Sequence, residues 1–86
     1  MESYELLIKA SAAKELEAVG RKSDRTRIVD KIYTLKDDPR PQGSEKLTGQ
    51  DRYRLRQCQF RILYVVDEDE HVVTVVKIGH RRDVYR

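Results

Sequence analysis

Near the middle of this 86-residue chain the spacing of the apolar residues changes, and that change decides most of what the chain can become. In the first half Ala12, Leu16 and Val19 recur at i, i+4 and i+7. Ile28, Ile32 and Leu35 repeat at helical spacing with Val29 beside them, which is the period of a helix with one buried stripe. In the second half Arg52-Tyr53-Arg54-Leu55-Arg56 alternates charged and apolar side chains. The runs after it, rich in Val, Ile, Tyr and Phe, keep the short period of strands. Helices followed by strands imply an α+β domain.

Breakers and caps set the expected boundaries. Tyr4 to Ile8 fits a short strand. Ser11 can cap a first helix that Gly20 ends, and Ser23 or Asp24 can cap a second that Asp37-Asp38-Pro39-Arg40-Pro41 stops, because neither proline continues a helix. The two helices are expected as an antiparallel pair with one apolar side to bury. Lys46-Leu47 reads as a brief strand, and Tyr53–Gln57, Phe60–Asp67 and Val72–Ile78 read as longer ones. If Cys58-Gln59 is a two-residue hairpin loop, Leu55 lies opposite Ile62, Tyr53 opposite Tyr64 and Arg56 opposite Arg61. The register of the last strand is open. The expected order is β-α-α-β-β-β-β over a single domain, residues 1–86, with both helices on one face of a mainly antiparallel sheet.

Composition narrows the class. Apolar and charged residues each make up 38% of the chain, and the apolar ones fall in patterned runs, so the chain should fold. The net charge is +3. From Ser44 onward nine Lys or Arg face seven Asp or Glu, and four of those acids sit together in Asp67-Glu68-Asp69-Glu70, which reads as a solvated turn. The basic face is therefore expected to be largely uncompensated locally. The single cysteine, Cys58, excludes an internal disulfide and a cysteine-cluster metal site. The N-terminus shows no signal-peptide pattern and no segment approaches membrane-spanning length, so a cytoplasmic protein is expected, with no membrane contact.

Arg52, Arg54, Arg56 and Arg61, with the terminal run Gly79-His80-Arg81-Arg82-Asp83-Val84-Tyr85-Arg86, form a concentration of cations that an anion would offset. A phosphate chain is the natural one. If it is RNA, internal cleavage needs a base at the ribose 2′-hydroxyl, cations for the phosphorane and an acid at the departing 5′-oxygen. Arginine suits the second task, since its planar fork binds phosphate bidentately and keeps its proton. His80, Tyr85 and Asp83 are the proton-transfer candidates. His71, beside the acidic turn, reads as an exposed residue. No metal-ligand set is visible, so the mechanism is expected to need neither metal nor cofactor. The plainer readings are a solvated arginine face whose stems cover apolar surface, tyrosines 53 and 64 that pack rather than stack on bases, and an incidental Cys58.

Leu47-Thr48-Gly49, Tyr53-Arg54-Leu55-Arg56, Phe60-Arg61-Ile62-Leu63-Tyr64 and Ile78-Gly79-His80-Arg81-Arg82-Asp83-Val84-Tyr85 together resemble the RelE/ParE superfamily of bacterial toxins, in its RelE-like messenger-RNA interferase branch. The resemblance covers essentially the whole chain and implies the same element order. It implies a ribosome-dependent endoribonuclease that enters the A site of the 70S ribosome and cuts the messenger there. The implied partners are a cognate RelB-like antitoxin, and operator DNA only through the antitoxin complex. On this resemblance Arg61 and Arg81 hold the scissile phosphate, in an exposed cationic setting, and Tyr85 stacks on the base or assists proton transfer. Arg54, and less closely Arg52, stand where the best-studied branch has lysine, so the base is His80 or is supplied in part by the ribosome. Arg52, Arg56 and Arg82 align the flanking RNA backbone. The second reading is a ParE-like inhibitor of DNA gyrase without nuclease activity. His80 and Tyr85 flanking the arginine pair favour the nuclease. A third is a nucleic-acid-binding domain with no enzymatic role.

Overall fold

The computed structural model describes residues 3–47 and 52–80. Strand β1 (Glu5–Ile8) leads to helices α1 (Ala10–Glu17) and α2 (Lys22–Thr34). Then come β2 (Glu45–Lys46), β3 (Arg52–Gln57), β4 (Phe60–Asp67) and β5 (Val72–His80). The five strands form one sheet in the order β1-β5-β4-β3-β2, with β1 parallel to β5 and every other pair antiparallel. The element order and the α+β class expected from the residues are those found.

The apolar periodicities converge on one core. Ala12, Val19, Ile28, Ile32 and Leu35 bury against Leu55, Ile62, Tyr64, Val66, Val73, Val75 and Ile78, with α1 lying on β5 and α2 on β3. Tyr64, fully buried, donates its hydroxyl proton to the Pro39 carbonyl at 2.8 Å, which ties the loop after α2 to the sheet. The alternation in β5 is not simple, because Val73 and Val75 share a parity that Ile78 does not. A β-bulge resolves this: Leu63 lies opposite Lys77 and Tyr64 opposite Val75, so Val76 is the extra residue that lets all three face the core. Where β5 runs beyond its pairing with β1, Glu15 of α1 covers the edge, accepting the Ile78 N–H at 3.0 Å and meeting Lys77 Nζ at 3.1 Å.

The helix caps differ from expectation. α1 starts one residue before Ser11, after Lys9, and α2 starts before Ser23 and Asp24, after Arg21; neither cap makes a side-chain hydrogen bond. Asp24 instead sits in the first turn of α2, where its charge favours the helix dipole. Gly20 lies beyond the C-cap residue Ala18, and its φ is not positive.

Candidate nucleic-acid interface

The β3–β4 hairpin has the register expected from its two-residue loop: Tyr53 opposes Tyr64, Leu55 opposes Ile62 and Arg56 opposes Arg61. Directly opposed residues share a face and successive ones alternate. The sheet therefore carries two sets of rows. On the helix side run Tyr53–Tyr64–Val75, Leu55–Ile62–Ile78 and Gln57–Phe60–His80; on the other side run Arg52–Val65–Thr74, Arg54–Leu63–Lys77 and Arg56–Arg61–Gly79. Four arginines from two adjacent strands thus occupy one face. The tyrosines stack on each other at 5.6 Å, packing rather than offering a platform.

The arginines differ in environment. Arg56 projects outward, its side chain 58% exposed, whereas Arg61 is 6% exposed, so the exposed setting expected for it does not hold. A buried guanidinium is held in a fixed direction by its surroundings, which suits it to place charge at one point. Glu45 of β2, directly opposite Arg54, meets the Arg54 guanidinium at 2.6 Å and lies 3.9 Å from that of Arg56. The hydrogen bond from Arg54 holds the Glu45 carboxyl below the usual carboxylate range, with Arg56 and Arg61 adding their fields. This corrects the view of a face without local compensation. Glu45 is hard to find from sequence because it belongs to a two-residue strand nine positions from its partner. The signal it does carry is that it is one of only three acids in the second half outside the acidic turn. Its lowered basicity also makes it a weak acceptor of protons.

His80 is not brought to the arginine face. It shares a row with Phe60, whose ring it meets edge-on at 5.7 Å, and lines a groove with Val19, Gly20 and Ile78, while Arg61 points to the other side of β4. Arg81, Arg82 and Tyr85 lie outside the described residues, as do Thr48 and Gly49. His71, expected to be exposed, is half-buried and stacks on Tyr4 at 4.8 Å. The acidic turn is exposed as expected, and one of its acids is also paired there: Glu68 accepts the Tyr4 hydroxyl at 2.8 Å and pairs with Arg40. Among the described residues no group of three His, Cys, Asp or Glu side chains is arranged to hold a metal ion, and no helix is long and apolar enough to cross a membrane.

Comparison with known proteins adds the context that a sheet face cannot give alone. A protein of Methanocaldococcus jannaschii that carries the name "Putative toxin RelE1" is 34% identical over 68 residues, covering 74% of this chain and 76% of the other. The isolated RelE toxin of Escherichia coli superposes with a TM-score of 0.79 at 28% identity, over 96% of this chain and 92% of that one. The toxin in the intact E. coli RelBE toxin–antitoxin complex gives 0.77 at 26% identity, over 91% and 96%. The sequence profile of the family described as "ParE toxin of type II toxin-antitoxin system, parDE" matches residues 6–85. The chain therefore belongs to the RelE/ParE family of toxins from type II toxin–antitoxin systems.

Proposed function

We propose that this toxin acts as a ribosome-dependent endoribonuclease that cuts messenger RNA in the A site. The observation that carries this reading is the row Arg56–Arg61, flanked by Arg54 and Arg52 on one sheet face. Two opposed guanidinium groups repel each other, and an RNA phosphate between them turns that repulsion into attraction on both sides. In the reaction the 2′-oxygen gives up its proton and bonds to the adjacent phosphorus. The bond from phosphorus to the 5′-oxygen breaks, that oxygen gains a proton, and a 2′,3′-cyclic phosphate remains. Arg61, with Arg81, is assigned to the charge that builds on the phosphoryl oxygens. Arg54 takes the place next to it, and Arg52, Arg56 and Arg82 hold the neighbouring backbone. Tyr85 is assigned to base stacking or proton transfer. His80 stays in the proposal as a proton-transfer group acting from the sheet end, since it reaches the reaction only around β5. The proposed partners are messenger RNA on the 70S ribosome and a cognate RelB-like antitoxin; the E. coli RelE matched above was itself crystallised with RelB.

The test is addition of the toxin to a translating extract with primer-extension mapping of the messenger. Cuts in ribosome-bound message with free RNA nearly intact are expected, and equal cutting of both would sink the ribosome-dependent model. Arg56→Ala should lower the cutting rate about tenfold or more. At the buried Arg61 the informative change is Arg61→Lys, which keeps the charge but loses the fork and should lower cutting by about 10²-fold. A second reading has its own support, since the matching profile carries the name of ParE toxins. On that reading the same face binds DNA gyrase without cleaving RNA, and gyrase-dependent DNA breakage with intact messenger would select it.

A further inference from the structure

The row Arg54–Leu63–Lys77 has a cation at each end, and a glutamate from a neighbouring element holds each of them. Arg54 meets Glu45 of β2, and Lys77 Nζ lies 3.1 Å from a carboxylate oxygen of Glu15 in α1. By register Lys77 belongs to the arginine side of the sheet, whereas α1 lies on the other side. The lysine reaches Glu15 around the outer edge of β5, which is open there because β1 pairs only with Val72 to Val75. The second Glu15 oxygen accepts the Ile78 N–H on that same edge, at 3.0 Å. Glu15 thus draws Lys77 off a face on which, among the described residues, it is the one lysine in the rows across the sheet. The pair faces water, with the lysine side chain 43% and the glutamate side chain 33% exposed.

We propose that Lys77 is a further phosphate contact of this face, held at the sheet edge by Glu15 in the free toxin and released to an arriving RNA strand. The inference rests on the reading that the arginine face takes RNA. Arg61 lies opposite Gly79, so Lys77 is its diagonal neighbour on the same face, about 7–8 Å away. Successive phosphates of an extended strand are spaced similarly. A strand held at Arg61 therefore brings its next phosphate within reach of the lysine, whose flexible four-carbon stem carries a point charge with no fixed direction of approach. The exchange costs little, because an exposed ion pair adds little to stability and a phosphate leaves Lys77 as well paired as the carboxylate did. Glu15 keeps its bond to the Ile78 N–H, so the edge of β5 stays covered. The row Asp67–Val72–Glu5 places acids at the far end of the same face, which confines a polyanion to the hairpin half, where Lys77 stands.

The experiment measures binding of a fluorescein-labelled oligouridine with methylated 2′-hydroxyls, which cannot be cut, by anisotropy across a potassium chloride series. Lys77→Gln should weaken binding about threefold and flatten the log–log salt slope by about 0.7, the share of one phosphate, while Lys77→Arg keeps the wild-type slope. Glu15→Gln retains an acceptor for the Ile78 N–H but frees the lysine, and should tighten binding about threefold. In the Lys77→Gln background that gain should vanish. An unchanged slope in Lys77→Gln overturns the proposal. So does a full gain from Glu15→Gln without the lysine, since the carboxylate would then act on the RNA directly. Equal loss of affinity in Lys77→Arg and Lys77→Gln, with lowered melting temperatures in both, overturns it as well, because the lysine would then serve the fold. A wild type that binds no oligouridine at any salt concentration overturns the RNA reading of the face and this inference with it, whereas wild-type binding that ignores Lys77 overturns the inference alone.

Discussion

Glu45 shows how one carboxylate can tune a cationic surface. Opposite Arg54 and within 3.9 Å of Arg56, it takes part of the field that would otherwise reach a phosphate. The pair is half-exposed on the glutamate side, so its own contribution to stability is small, as for surface ion pairs in general. Its influence on an approaching polyanion is larger, because a negative charge on the arginine face repels any phosphate that passes. Glu45→Gln keeps the shape and removes the charge. The variant is expected to bind a single-stranded RNA oligonucleotide about three- to tenfold more tightly, and its salt dependence should steepen by about 0.7 in log–log slope as Arg54 becomes available to one more phosphate. Fluorescence anisotropy across a salt series reads both. Weaker binding by the variant would instead make Glu45 the residue that holds Arg54 in place.

The elements show which features the residues announce and which they conceal. Strict alternation in β3 and the two-residue loop set the hairpin register, so the pairing of Arg56 with Arg61 follows from the order of residues alone. The bulge at Val76 does not, since Val73, Val75 and Ile78 are all apolar and only packing shows that all three point inward. The shared parity of Ile78 and His80 is legible in the sequence, and a last strand two residues longer than its apolar run turns His80 away from the arginines. Arg61 reads as exposed because charge implies exposure on average, and nothing local signals its burial. The loop itself holds a residue at odds with its backbone. Cys58 has a φ of 58°, at the first central position of the turn, where two-residue hairpins of type II′ favour glycine. Cys58→Gly should stabilise the fold by up to about 1 kcal/mol, which for a domain of this size raises the melting temperature by about 4–8 °C. An unchanged or lowered midpoint in a thermal melt would show that the weak contacts of Cys58 Sγ with Arg27 and Gln57 offset the strain.

Across the whole molecule the two ends of the β3–β4–β5 sheet are built on different electrostatics. At the hairpin end the arginines crowd one face and suit an external anion, whereas at the β4–β5 turn the charges satisfy one another. Glu68 joins Tyr4 near the N-terminus to Arg40 in the loop after α2, and Arg40 donates to the Tyr53 hydroxyl at 2.9 Å while lying 5.4 Å over that ring. The Arg40 hydrogen bond, then that of Tyr4, lowers the Glu68 pKa. A carboxylate depressed in the folded state stabilises above its unfolded pKa, near about 4.3 for glutamate, and loses that contribution as the pH falls through the lower folded value. Glu45 carries the same sign. Tyr64 supplies the opposite flank: burial pushes its pKa up to about 12, so the unfolded chain ionises first and stability falls as the pH rises above about 10. The melting temperature should therefore decline on both sides of a broad neutral maximum. Glu68→Gln should melt below the wild type at pH 7, and the gap should narrow as the pH falls below the ordinary glutamate range and close once the folded wild-type carboxylate is protonated as well. Tyr64→Phe should flatten the alkaline decline while costing about 1 kcal/mol at neutrality for the lost bond to Pro39. Circular-dichroism melts across pH separate the two flanks. A Glu68→Gln gap that stays constant into acid would mean that Glu68 ties the chain's N-terminal end to the sheet by shape rather than by charge.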